Sequence, residues 1–341
     1  MTLTLPARGI LSALTGLALL TTAVSAEPFR MIVTDLEAPL VPNSVMDLAL
    51  NLGYFEAEGV EVELVRVQQT PSALAALQAD EGEMANIAVD ALLQLVAAGN
   101  SDLRAVVSPN KSLPFLIAGK DEIATAADLG GHSFGVGRVG SLDHSLSMKV
   151  LAEQGVDTDT LEVVTLGQPN VRAQALAAGQ IDATTISIGV WMSLPDPEGL
   201  HVLVSQDDYY EAAPVVNKVN IVTSETLENR REDVEGVVRA LVRISRDFAA
   251  DPEKWVEGMA TARPDVPRED LEALAEAFTQ SWSVNGGLSR EELEYTADWI
   301  YEGEDFQNVT RVETAEWVDF SVLDTILAEL GTDEAMDAPT R

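Results

Sequence analysis

The sequence predicts an α/β protein of two lobes, each with a mostly parallel sheet. Two hinge segments join the lobes, and a helical C-terminal region follows. Three observations predict this. Strand-like and helix-like stretches alternate from Phe29 onward, which implies parallel strands with helices packed on their faces. The alternation restarts at Ser133. Two extended apolar stretches, 113–118 and 215–222, read as crossings between the two units. Two segments joining two lobes leave a cleft and can act as a hinge.

Residues 29–33 read as a strand, followed by a loop holding Pro39 and Pro42. Val45, Leu48, Ala49, Leu52 and Phe55 recur at helical spacing, with Asn43 or Ser44 as cap and Gly59 as stop. Val60, Val62 and Leu64 alternate with Glu61 and Glu63, the pattern of a strand with one wet face. Thr70 reads as the cap of another helix, with Pro71 tolerated at its first position. Short strands follow at 84–89 and 103–107, and the helix between them, 91–98, takes Asp90 as its N-cap. In the second unit, 133–137, 161–166 and 181–186 read as strands. Helices over 142–154 and 171–178 lie between them, closed by Gly155 and Gly179. Beyond 219–222 the pattern is almost entirely helical, with Trp255, Trp282, Trp299 and Trp317 as packing anchors. Residues 27–117 and 217–341 are therefore assigned to the first lobe with its C-terminal helices, and 118–216 to the second.

Residues 1–26 are set aside as an export signal. Arg8 gives a positive start, 10–20 form a short apolar run, and Val24-Ser25-Ala26 puts small residues where a signal peptidase cuts. Cleavage near Ala26 starts the mature chain at Glu27. The run is too short and too rich in Gly, Ser and Thr for a membrane span, so no stable membrane anchor is expected. The chain has no cysteine, so export brings neither a disulfide nor a lipidated N-terminal cysteine. The expected location is the periplasm. A formal charge of −35 over 341 residues argues against nucleic acid and anionic membranes as partners. The acids are spread along the chain, which fits a soluble monomer.

Gly135, Gly137 and Gly140 fit G-x-G-x-x-G, the dinucleotide fingerprint. That site also wants an acid at the end of the next strand to hold the ribose. Here the strand ends Thr165-Leu166-Gly167-Gln168, and Glu162 sits at its wrong end. Gly135 also falls inside the preceding strand. No nicotinamide, and no other cofactor, is expected. Gly140 and Ser141 keep two readings. The free N–H groups of a helix starting at Ser141 form a cradle for an anionic ligand atom, or Ser141 only caps its helix. His144, one turn on, either adds a donor or lies on the surface.

The segments "LALNLGYFEAEGVEVELV", "ALAALQADEGEMANIA", "DLRAVVS", "ATAADLGGHSFGVG", "VGSLDHSLSMKVLAEQGVD" and "ALAAGQIDATTIS" carry a family resemblance. From Phe29 to about Leu194 the chain resembles the periplasmic substrate-binding proteins of ABC importers. The group in question takes aliphatic sulfonates, taurine, nitrate and thiamine-precursor pyrimidines. The resemblance implies a type II periplasmic binding protein fold, a small-molecule ligand in the cleft, and a membrane permease and ATPase complex as partner. Carried through the matching segments, the ligand contacts would be Thr34, Asp35, Asn43 and Ser44 after the first strand. Ala88 and Val89 would follow, then Ser108 and Asn110. The second lobe would offer Gly140, Ser141 and Leu142 with His144 nearby, and Ser187 with Trp191 just beyond. Asp35 is alternatively a solvated loop acid, and Trp191 alternatively lobe core. Sulfonate-type relatives often show an aromatic, an acid and a proline where this chain has Ser187-Ile188-Gly189. The ligand therefore stays open between a sulfonate- or taurine-like anion, which is favoured, and a thiamine-precursor pyrimidine or other heterocycle or aromatic acid.

An enzyme is the competing class. The resemblance extends to a pyrimidine synthase that uses pyridoxal phosphate and a cysteine-rich iron motif, and a chain without cysteine lacks those ligands. H-E-x-x-H, G-x-S-x-G and P-loop signatures are missing, and His132, His144 and His201 share no metal-ligand spacing. No catalytic residue and no metal is expected. A sensor module would share the same fold.

Overall fold

A computed structural model describes residues 1–2, 27–111, 114–213, 215–279 and 281–334. Most of the expected export signal, residues 3–26, lies outside the described residues, as does Leu113 of the first expected crossing. Among the described residues no helix is long and apolar enough to cross a membrane.

The first lobe opens with β1 (Phe29–Val33). The apolar series after it forms two helices where the sequence predicts one: α1 (Val45–Asn51) and α2 (Tyr54–Ala57). The break is at Gly53, whose φ of 77° lies in the left-handed region that a side chain disfavours. Gly53→Ala is expected to lower stability by about 1 kcal/mol, read as a lower urea midpoint with unchanged slope. Next come β2 (Val62–Arg66), α3 (Thr70–Gln78), β3 (Met84–Ala88), α4 (Val89–Ala97) and β4 (Leu103–Asn110). Two expected caps move. Gln69 caps α3, while Thr70 Oγ1 accepts from the Ala88 N–H at 3.2 Å. Ala88 caps α4, which puts Asp90 inside the first turn.

The second lobe holds β5 (Phe115–Lys120), β6 (Ser133–Val136), α5 (Leu142–Glu153), β7 (Glu162–Thr165) and α6 (Pro169–Ala177). It continues with β8 (Ala183–Ser187), α7 (Ile188–Met192), β9 (Leu200–Val204) and α8 (Gln206–Ala212). The chain then returns as β10 (Lys218–Thr223). The remainder is helical: α9 (Ser224–Asn229), α10 (Arg231–Ala250), α11 (Pro252–Ala262), α12 (Arg268–Ala277), α13 (Arg290–Tyr301), α14 (Thr314–Trp317) and α15 (Phe320–Leu330).

Each sheet has five strands, in the orders β2-β1-β3-β10-β4 and β7-β6-β8-β5-β9. β1 pairs parallel with β2 and β3, and β6 with β7 and β8. The reversed strand is β10 in one sheet and β5 in the other. In both cases it is the first strand after a crossing. Strands that feed helices in the βαβ pattern run toward one edge of the sheet. A chain that crosses between lobes at that edge enters the next sheet from it and must run the other way. The apolar stretches expected as crossings are thus mostly these two strands, and the described parts of the links are residues 111, 114, 213 and 215–217.

The larger core runs from the first sheet through Val215 and Val216 into one face of the second. A smaller cluster around Leu116, Leu176 and Ile186 covers the opposite face. Trp255, Trp282 and Trp317 are fully buried. Trp255 meets Phe278 edge-on at 5.5 Å and Trp282 at 6.2 Å, so aromatic contacts knit the helical region together.

Candidate ligand-binding cleft

Both sheets aim the same edge at the space between the lobes. From the first come the residues just beyond β1, β3 and β4 and the start of β10. From the second come those beyond β6, β7 and β8 and the start of β5. Ligands of open α/β sheets collect outside the carboxyl ends of strands, where loops and helix starts converge. The cavity enclosed here has a volume of about 1070 Å³. That is the upper end for small-molecule sites, enough for a solute with its water.

On the first lobe a hydrogen-bonded relay backs the wall. Lys218 Nζ donates to Thr34 Oγ1 at 2.7 Å. Thr34 donates to Asn86 Oδ1 at 3.4 Å, and Asn43 Nδ2 donates to the same oxygen at 3.0 Å. Asn86 Nδ2 passes to Asn220 Oδ1 at 2.7 Å, and Asn220 Nδ2 faces the sulfurs of Met84 and Met46 at 3.4 and 3.6 Å. Asn86 and Asn220 are fully buried, and the relay is what lets an apolar sheet carry them.

On the second lobe the glycine loop encloses its own chain. Asp143 Oδ2 accepts from the Gly137 N–H at 3.1 Å and lies 3.4 Å from Arg172. Ser141 Oγ lies against the other Asp143 oxygen and, at 2.5 Å, the Arg138 carbonyl. The carboxylate that a helix start and glycine loop attract is thus supplied by the helix itself. Arg172 is buried and also donates to the carbonyls of Gly167 at 2.6 Å and Thr185 at 3.0 Å, tying the loop after β7 and the strand β8 to Asp143. Burial lowers its pKa, and Asp143 opposes that shift.

Asp90, unlike Asp143, is not fully paired within the chain. It is 7% exposed and lines the cavity, yet one carboxylate oxygen has no hydrogen-bond partner. Desolvation pushes its carboxyl up to about 6, against the pull of the Ala91 N–H and of Arg138.

The lobes touch across the cleft. Gln168 Nε2 donates to the Gln68 carbonyl at 2.7 Å. Gly189 packs so tightly on Leu40 that a Cβ there would stand 2.3 Å from the Leu40 oxygen. Behind the cleft, Lys149 Nζ donates to the Trp299 carbonyl at 2.9 Å and lies 3.8 Å from the centre of the indole ring.

Of the residues expected from sequence, Thr34, Asp35, Asn43 and Ala88 line the cavity, as do Asn110, Ser141 and Ser187. The others are placed elsewhere. Ser44 Oγ accepts from Trp255 Nε1 at 2.9 Å. Val89 is buried core at the start of α4. Ser108 Oγ donates to the Lys218 carbonyl at 2.7 Å and so fixes β10. Gly140, at φ 75°, turns toward Asp305 and a small pocket against α13. Leu142 opens α5, and His144 Nδ1 accepts from the Gly140 N–H at 3.3 Å. Trp191 packs on the smaller core. The cavity adds Asp90, Arg138, Gln168 and Lys218, which sequence reasoning did not select as ligand contacts.

A family model described as NMT1/THI5 like matches residues 45–255. No curated protein matches the chain. Among solved structures, one similar to this chain is the alkanesulfonate-binding protein SsuA from Xanthomonas axonopodis pv. citri, bound to MOPS. It has a TM-score of 0.67 and 21% identity, over 87% of this chain and 100% of that one. The periplasmic aliphatic sulphonate binding protein SsuA from Escherichia coli gives 0.65 and 17%, over 86% and 92%. The desulfurization enzyme DSZB gives 0.63 and 18%, over 89% and 99%. These likenesses show the type II periplasmic binding protein fold that the sequence predicts.

Proposed function

This chain belongs to the NMT1/THI5-like family, and from that premise we propose that it is the solute-binding component of an ABC-type importer. The observation that carries this reading is the cavity of about 1070 Å³ between two lobes that also touch at its rim. A solute held there contacts both walls and favours the shut arrangement over an open one. We place the protein in the periplasm as a monomer cut near Ala26, handing its ligand to a permease and ATPase complex. The division into 27–117 with 217–341, and 118–216, is the corresponding lobe assignment.

The favoured sulfonate- or taurine-like anion is supported by Lys218 and Arg138 on the walls and by what the two SsuA proteins are named for binding. A pyrimidine or other N–H-bearing heterocycle is supported by the amides and acid that line the first-lobe wall, Asn43, Asn110 and Asp90. The reading is capture without turnover. Ser187 Oγ accepts the Val190 N–H at 3.3 Å as the cap of α7, and His144 Nδ1 accepts the Gly140 N–H, which are structural roles for both.

A thermal-shift panel of sulfonates, taurine, nitrate, pyrimidines and aromatic acids tests this. A ligand at a hundred times its Kd adds about 2.7 kcal/mol to stability, which raises the melting temperature by several degrees. The ligand should also be recovered unchanged after prolonged incubation. A flat panel, or conversion that scales with protein concentration, rejects the reading.

A further inference from the structure

The cavity is larger than a small anion needs. At about 1070 Å³ it lies at the upper end for small-molecule sites, and a solute the size of taurine or nitrate fills little of it. Part of the remaining wall belongs to α3 and α4. β3 and β4 run parallel, since β10 is antiparallel to both. The crossovers through α3 and α4 therefore move the same way across the sheet, and right-handed crossovers put both helices on one face. The two helices flank β3, and each packs against it.

Their cavity sides are apolar and accessible. Pro71 and Leu74 are three residues apart on α3, and Ala91 and Leu95 four apart on α4, so each pair shares a helix face. All four line the cavity, and none of them is fully covered. Leu95 lies two turns beyond Ala88, the cap of α4, so the groove runs about 10 Å along that helix. Leu40, on the same lobe, is already covered by Gly189 of the second lobe.

Ala88 fixes the cleft end of the groove. Its N–H donates to Thr70 Oγ1 at 3.2 Å, which ties the start of α3 to that of α4, and its backbone pairs with Lys218. The Lys218 ammonium donates to Thr34 and has no ion-pair partner among the described residues. Of the acids lining the cavity, Asp143 is met by Arg172 and Glu37 by Arg263, which leaves Arg138 and Lys218 to offset Asp35 and the buried Asp90. Both helices start here, so their positive ends add to the ammonium.

We propose that the solute is amphiphilic, with an apolar tail laid between α3 and α4 against Leu74 and Leu95, and an anionic head, carboxylate or sulfonate, at Lys218. This rests on the solute-binding reading and narrows its ligand.

The test is calorimetric titration of the whole mature chain with ethane-, butane-, hexane- and octanesulfonate, with hexanoate and octanoate, and with octyltrimethylammonium. Each methylene that enters the groove should tighten binding about fourfold. Octyltrimethylammonium should bind at least tenfold more weakly than octanesulfonate. Leu74→Gln and Leu95→Gln, each shown by melting to be folded, should cut the gain from butane- to octanesulfonate at least tenfold. Lys218→Met, checked in the same way, should weaken every anion at least tenfold. An affinity independent of chain length overturns this inference alone. So does a gain kept within twofold in both leucine variants, or an anion affinity kept within twofold in Lys218→Met. A series in which nothing binds, while another compound of the thermal-shift panel does, also overturns it alone. No binding by any compound of either set overturns the solute-binding reading as well.

Discussion

Gly189→Ala is expected to weaken solute capture at least tenfold while both lobes stay folded, and Gly189→Val more so. The added Cβ would stand 2.3 Å from the Leu40 carbonyl oxygen and 2.5 Å from the Leu40 Cβ. Backbone cannot swing aside as a long side chain can, and real Cβ contacts do not come this close. Gly189 is not among the positive-φ glycines, so its own helix α7 accepts a side chain. The strain is therefore directed between lobes and not within one. It is relieved by opening the cleft, and the opened form loses the second wall around the ligand. Apparent affinity scales with the fraction of molecules able to shut, so a penalty of about 1.4 kcal/mol on closure is tenfold in Kd. Solution scattering should show a larger radius of gyration for the ligand-free variant, and calorimetry the weakened binding. Wild-type values in both would mean that the Leu40 loop yields instead, and that Gly189 does not set closure.

Elements stated by local pattern were legible in the sequence. The strand at β1 and the helices α5 and α6 are of this kind, because periodicity and a terminal glycine are written within a dozen residues. What depends on partners far along the chain was not. β5 reads as a crossing because an apolar extended run looks alike in a strand and in a link. β9, entered through the acidic, proline-containing stretch at 195–198, was passed over altogether.

The cleft divides in the same way. Thr34, Asn43, Asn110 and Ser187 follow from the family resemblance, which carries contacts at and beyond the ends of strands that run toward the cleft. Lys218 was missed because β10 runs away from it, so that its first residue, not its last, reaches the cavity. Ser44 and Ser108 looked free in sequence, but Trp255 and the Lys218 carbonyl claim them from 211 and 110 residues away. The G-x-G-x-x-G spacing described a real loop with its occupant already in the chain: Asp143, three residues past Gly140.

Asp90 supplies the second large effect, and it runs opposite in sign to an acid held in an ion pair. In the ligand-free protein, Asp90→Asn is expected to raise stability at neutral pH. Burial raises the folded-state carboxyl to about 6, against an ordinary 3.8. Between those values the folded state holds a proton that the unfolded chain has released. Stability from this group is therefore fully present below 3.8 and is lost as pH rises through 6. The loss amounts to about 3 kcal/mol at most, at 1.36 kcal/mol per unit. An asparagine never ionises and avoids it. Urea unfolding at pH 7.5 should find the variant more stable by roughly 1–3 kcal/mol, with the gap closing as pH falls toward 3.8. Taking the difference between variant and wild type matters, because Asp182 acts in the other direction. Its bonds to Lys120 and Ser133 overcome its desolvation and hold it well below the usual carboxylate range, so its contribution is lost on acidification. A variant no more stable than wild type at pH 7.5 would mean that Asp90 has a partner inside the protein that offsets its desolvation.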